Sequence, residues 1–123
     1  MLTKEAILKA DDLDITAVDV PSWGGQVYIR TMTGGERDGF EQAVSDANKA
    51  GKLDIRGLKV KLVVLTLCDE NGARLFSESD TAALLAKSSK ALNSLFIAAQ
   101  KINGLTESDV EELAGNSEAD LNA

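Results

Sequence analysis

The chain has 123 residues, of which 44% are hydrophobic and 27% charged, with no histidine, one cysteine and a formal charge of −7. A chain of that size builds one core and leaves little depth for an enclosed active site, so function is expected on a face or at an interface. The negative charge disfavours nucleic acid and anionic membrane surfaces, and the missing histidine and second thiol remove the usual zinc spacings and any Ser or Cys nucleophile with a histidine base.

Thr3 can cap a short first helix running to about Ala10, with Ile7 and Leu8 as its apolar side; such a helix is too short to stand without docking. The same segment carries Lys4, Glu5, Lys9, Asp11 and Asp12, so no apolar export region is read there, and no apolar stretch is long enough to span a bilayer. The expected location is the cytoplasm. Ile15 to Val20 is rich in β-branched residues and closed by Pro21, and Gln26 to Thr31 places Val27 and Ile29 on one face. Ser22-Trp23-Gly24-Gly25 between them supplies positive-φ positions, which predicts a β-hairpin.

Thr33 and Glu36 have capping-box spacing, and Phe40, Ala43, Val44 and Ala47 follow at helical spacing, predicting a helix from Gly34 to about Ala50. After the polar linker Lys52 to Gly57, the run Leu58 to Cys68 begins by alternating like a strand, yet its length and leucine content suit a buried helix; periodicity does not decide, and helix is favoured. Asp69-Glu70-Asn71-Gly72 reads as a turn, Arg74-Leu75-Phe76 as an extended piece, and Ser77 with Asp80 as a helix start whose buried side is Leu84 and Leu85. A longer helix follows, marked by Ala91, Leu92, Leu95, Phe96, Ala99 and Ile102 and stopped by Asn103-Gly104. Thr106 and Asp109 open a last short helix ending near Gly115, so residues 1–115 read as one domain and 116–123 as a frayed, flexible tail. The fold class expected is α+β and predominantly helical, an N-terminal β-hairpin packed with about five or six helices.

Chemistry-bearing motifs are near misses. Carboxylate pairs such as Asp11/Asp12 and Glu111/Glu112 read as solvated charges, and the glycine pairs fit neither a Walker loop nor a dinucleotide fingerprint. Asp69, Asn71, Gly72 and Glu78 fall on ligand or turn positions of a calcium loop, but its first ligand position is Leu67 and a late one is Leu75, so a turn before a capped helix is the better reading. No catalytic residue, metal or cofactor is expected. Cys68 reads as a buried structural thiol. The candidate protein-interface residues are Trp23, as an aromatic anchor, and Leu92, Leu95, Phe96 and Ile102, as a helical stripe; for Trp23 folding back on the domain, and for the stripe a place in the core, are the commoner fates. A small domain with several such helices can share a face with another copy, which leaves self-association open.

The hairpin and following cap, Val18 to Arg30 with Thr33 to Glu41, resemble the N-terminal half of tail assembly chaperones from long non-contractile-tailed bacteriophages and prophages. Leu62 to Gly72, Arg74 to Ser77 and Leu95 to Leu105 are similar to that family's later blocks, in the same order. The resemblance is carried by order and spacing, since no block is a catalytic signature. It implies a non-enzymatic protein that binds the tape-measure protein, keeps it soluble and helps recruit the major tail tube protein, mainly through a longer frameshifted form of which this chain resembles the short version. It also implies a place in the host cytoplasm and absence from the mature virion; the competing reading is a small structural tail-completion or connector protein of the virion.

Overall fold

The computed structural model describes residues 1–51 and 55–105. In chain order it comprises helix α1 (Lys4–Lys9), strands β1 (Ile15–Val20) and β2 (Gly25–Arg30), helices α2 (Gly34–Lys49) and α3 (Ile55–Thr66), the two-residue strand β3 (Leu67–Cys68), and helices α4 (Thr81–Leu85) and α5 (Ser89–Ile102). This is an α+β fold, mostly helical, with an N-terminal hairpin. The helix expected from Thr106 and the tail at 116–123 lie outside the described residues.

The hairpin pairs Ile15 with Arg30 through Val20 with Gly25, antiparallel. The connection is a single 3₁₀ turn, Pro21–Trp23, closed by Gly24 at φ 76°. Of the two glycines expected to supply positive φ only Gly24 does; Gly25 already belongs to β2, because the 3₁₀ turn needs just one left-handed residue to reverse the chain. β3 adds to the other edge of β2, Tyr28 opposite Cys68 and Ile29 opposite Leu67, giving the order β1-β2-β3.

The run Leu58 to Cys68 is helix for all but its last two residues. From Leu62 to Cys68 every residue is buried, because α3 occupies the centre of the molecule, against α5, α4 and α2. One part of the core joins α3 to Phe40 and Val44 of α2, Val20 and Ile29 of the hairpin, and Ala91, Leu95, Phe96 and Ala99 of α5. A second, smaller cluster joins Val60 and Val64 to Leu84 and Leu92, with Phe76 against them. The half of α3 from Leu62 to Thr66, surrounded this way, is apolar but for Thr66 and loses the one-sided pattern by which helices are read, while Lys59 and Lys61 mark a partly open side only in its first half. Its buried Thr66 is satisfied internally, Oγ1 donating to the Leu62 carbonyl at 2.8 Å.

The helix ends follow local chemistry. Thr33 and Glu36 form the expected capping box at α2. At α5 the Leu105 amide donates to the Gln100 carbonyl and the Gly104 amide to that of Lys101, with Gly104 at φ 66°: a Schellman ending that turns the buried Leu105 back onto the core. Two expectations are corrected. α1 is capped by Thr3 as read, yet none of its residues is buried, so its apolar side is left open among the described residues. Leu85 is not part of the buried side of α4; that helix is only five residues long, and its single inward position is filled by Leu84 while Leu85 points outward, 40% exposed.

Candidate protein-binding face

The hairpin is held to the helices at its open end by a polar frame. Arg30, the last residue of β2, is buried, and its guanidinium makes two bonds to the Glu36 carboxylate, Nη1 to Oε1 at 3.0 Å and Nη2 to Oε2 at 2.7 Å. Glu36 Oε1 also accepts from the Thr33 amide at 2.9 Å, so one side chain caps α2 and neutralises the strand's cation. Partial burial pushes the Glu36 carboxyl upward, but the Arg30 hydrogen bonds and charge and the Thr33 amide outweigh it and hold the group below its ordinary value. Asn103 completes the frame from α5: its Oδ1 accepts from the Met32 amide at 2.7 Å while its Nδ2 donates to the Ala99 carbonyl at 2.9 Å. Strand end, helix start and helix end are thereby fixed relative to one another.

At the closed end of the hairpin stands Trp23. It is 38% exposed and forms one wall of an open depression of about 470 Å³ whose other walls are Phe76, Ala83 and Leu84, with Asp80 and Lys87 beside them. The ring thus neither folds into the core nor stands free; it walls an apolar socket with a mixed-charge edge. Across α4, which ends at the exposed Leu85, a second depression of about 360 Å³ is lined by Val60, Leu85 and Leu92 with Lys59 and Lys87. Lys59 Nζ lies 5.4 Å from the Phe96 ring centre and donates to Asn93 Oδ1. The rigid framing at the far end of the hairpin and the core beneath α4 hold the socket walls in place, as a preorganised binding surface requires.

Trp23 therefore lies on this face, and Leu92 reaches it with the rim of its side chain, being 9% exposed. Leu95 and Phe96 are core residues at 0% and 5% exposure, and Ile102 is half-buried against the main core at the other end of α5. The structure does not bring these five residues together. Exposed apolar residues absent from the interface candidates are Leu85, expected to be buried, and Ile97 on the helices, and Tyr28 and Leu75 near the sheet. The Asp69 loop serves its own backbone: Asp69 Oδ1 accepts from the Asn71 and Ala73 amides, at 2.8 and 3.0 Å, and Gly72 takes φ +87°. No cluster of three or more metal-binding side chains occurs among the described residues, nor any helix long and apolar enough to cross a membrane.

The sequence model of a family described as phage tail assembly chaperone matches residues 3–116. Among solved structures, that of the bacteriophage HK97 tail assembly chaperone is similar in fold, with a TM-score of 0.56 and 19% sequence identity, over 84% of this chain and 95% of that one. No curated protein matches the chain.

Proposed function

We infer the function of this chain from a plain premise: it belongs to the phage tail assembly chaperone family, whose sequence model spans nearly its whole length. On that premise the chain acts by holding another tail protein during assembly, without catalysis. Its client is the tape-measure protein, kept soluble until the tail tube forms around it, and a longer frameshifted form of the chain brings in the major tail tube protein. The work is done in the host cytoplasm, and the chaperone leaves before the virion is complete.

The observation that carries this reading beyond the family is the Trp23 socket. An exposed tryptophan beside Phe76, Ala83 and Leu84 offers a shallow apolar seat on a strongly acidic protein. Such a seat suits the apolar stripe of a client helix, with main-chain and charge contacts left at the edges. The surrounding charge of the chaperone keeps the complex dispersed while that stripe is covered.

The test is co-expression of the tape-measure protein with this chain or its Trp23→Ala variant, followed by size exclusion. Soluble client that co-elutes with the wild-type chain, and is reduced at least about fivefold with the variant, supports the reading; a fivefold loss corresponds to about 1 kcal/mol of binding. A client equally soluble alone, with this chain found by mass spectrometry in purified particles, would move the protein to a structural role in the virion.

A further inference from the structure

We propose that residues 106–115, the acidic stretch that follows α5, return along α5 and occupy the lysine-edged groove of the same chain. The proposal does not depend on the identity of the client.

Charge marks the occupant. Residues 106–115 carry Glu107, Asp109, Glu111 and Glu112 and no lysine or arginine. With Glu118 and Asp120 beyond them, they hold nearly all of the formal charge of −7, so the rest of the chain is close to neutral. The stretch is not purely polar, since it also holds Val110, Leu113 and Ala114. At the helical spacing expected from the sequence these three form one stripe, with Glu107 on one side of it and Asp109 on the other.

The acceptor is the groove across α4 from Trp23. It is floored by Val60, Leu85 and Leu92 and edged by Lys59 of α3 and by Lys87 just after α4, with no carboxylate in its lining. Leu85 is 40% exposed, and among the described residues neither lysine forms an ion pair. An apolar floor edged by cations is the counterpart of an apolar stripe edged by carboxylates.

The path between them is short. The Schellman ending fixes Leu105 at the C-terminal end of α5, whereas Leu92 and Asn93 of the groove lie toward its N-terminal end. From Ile102 back to Leu92 the helix covers about 15 Å. The stretch from Leu105 to Leu113 covers about 12 Å as helix and about 26 Å extended, so the return is within reach of the same chain. Ile97, 54% exposed, lies one turn from Asn93 and one turn from Lys101, on the open side of α5 along this route. An antiparallel return sets Val110 level with Ile97 and Leu113 at the groove, so one segment covers both Ile97 and Leu85. A client that enters the groove must then displace it, and needs the same pattern, an apolar stripe edged by carboxylates.

The experiment is amide hydrogen exchange followed by NMR on the full chain, at about 50 μM and after about tenfold dilution. One variant, Val110→Asp with Leu113→Asp, disables the segment. A second, Leu85→Asp with Lys87→Glu, disables the groove at two exposed positions, and circular dichroism checks that both remain folded. Amides 110–114 of the wild type are expected to exchange at least about tenfold more slowly than in either variant, equally at both concentrations. A charge exchange separates docking from general damage: Lys59→Glu with Lys87→Glu loses the protection, and adding Glu107→Lys with Asp109→Lys restores it. Wild-type amides that exchange as fast as those of the variants, or protection that survives the groove variant, would overturn the proposal. So would protection that falls on dilution, which places the segment on another molecule, or a charge exchange that restores nothing.

Discussion

Glu36→Ala should be the most damaging single change at the polar frame. The carboxylate receives both Nη atoms of Arg30, whose side chain is 7% exposed and whose Nε has no partner already, and it also receives the Thr33 amide. Removing one partner of a buried pair costs about 3–5 kcal/mol. Glu36 is itself 23% exposed, so water screens the pair and the cost falls below that range, to about 2 kcal/mol, with loss of the cap adding about 1 kcal/mol. With a urea slope of about 2 kcal/mol/M, a total near 3 kcal/mol moves the unfolding midpoint down by about 1.5 M. Glu36→Gln keeps one acceptor for the cap and should lose about half as much. The double variant Arg30→Met with Glu36→Ala leaves no orphaned cation and should recover at least about 1 kcal/mol relative to Glu36→Ala. The pH dependence has a fixed sign. A carboxyl whose folded value is depressed contributes stability above its unfolded value, 4.5, and loses it as pH falls through the folded one. The gap between wild type and Glu36→Gln should therefore be constant near neutrality and close below about pH 4.5. A midpoint shift under about 0.3 M for Glu36→Ala, or a double variant no better than the single, would refute the account of Arg30 as a cation that needs this partner.

Asn103→Ala removes the acceptor of the Met32 amide and should destabilise by about 2 kcal/mol in urea unfolding, whereas Asn103→Asp, which keeps the acceptor, should cost less. Trp23→Ala should change stability by less than about 1 kcal/mol, because the ring is more than a third exposed, while client capture falls; calorimetric unfolding and co-elution separate the two effects. Gly72→Ala should cost about 1–2 kcal/mol, since its φ is +87° and an added Cβ would meet Ile15 Cδ1 at 3.3 Å.

The hairpin and the start of α2 were legible because their chemistry is local: β-branched alternation around a Pro-Gly turn, and Thr33 with Glu36 at cap spacing. The run Leu58 to Cys68 resists, since Lys59 and Lys61 alternate with apolar residues in its first turn as they would in a strand, Leu62 to Thr66 are buried on every side and show no period, and its strand ending is induced by β2. Arg30 was hidden for another reason. A charge at a strand end reads as solvated, and its burial depends on a carboxylate that had been assigned a different task, capping α2. Asn103 was read as a turn residue, which it is, but its second role reaches Met32 across 71 positions, beyond any local pattern. The interface candidates divide on the same line. The α5 stripe was correctly seen as apolar, yet its spacing is equally that of core, and α3 fills it; the exposure of Leu85 depends on how short α4 is, a property fixed by tertiary packing.

Cys68 offers a way to watch the β3 edge of the sheet open. Its side chain is 1% exposed, paired across from Tyr28, and followed at once by the Asp69 turn. Burial pushes its thiol above the ordinary value; Arg30 pulls it down, and Asp69 adds to the rise. At neutral pH the thiol is protonated and covered, so an aromatic disulfide reagent can react only after local or global opening. Labelling of the wild type should be slow, single-phase and accelerated by urea. Gly72→Ala strains the turn that closes β3 and should speed labelling in the absence of denaturant by at least about tenfold, matching about 1.4 kcal/mol of opening. Asn103→Ala loosens the segment just after β2 without touching the Asp69 turn, and should accelerate labelling only in proportion to its effect on global stability. Equal acceleration by both variants, in proportion to their urea midpoints, would mean that β3 opens only when the whole domain does, and that the turn at Gly72 has no separate hold on it.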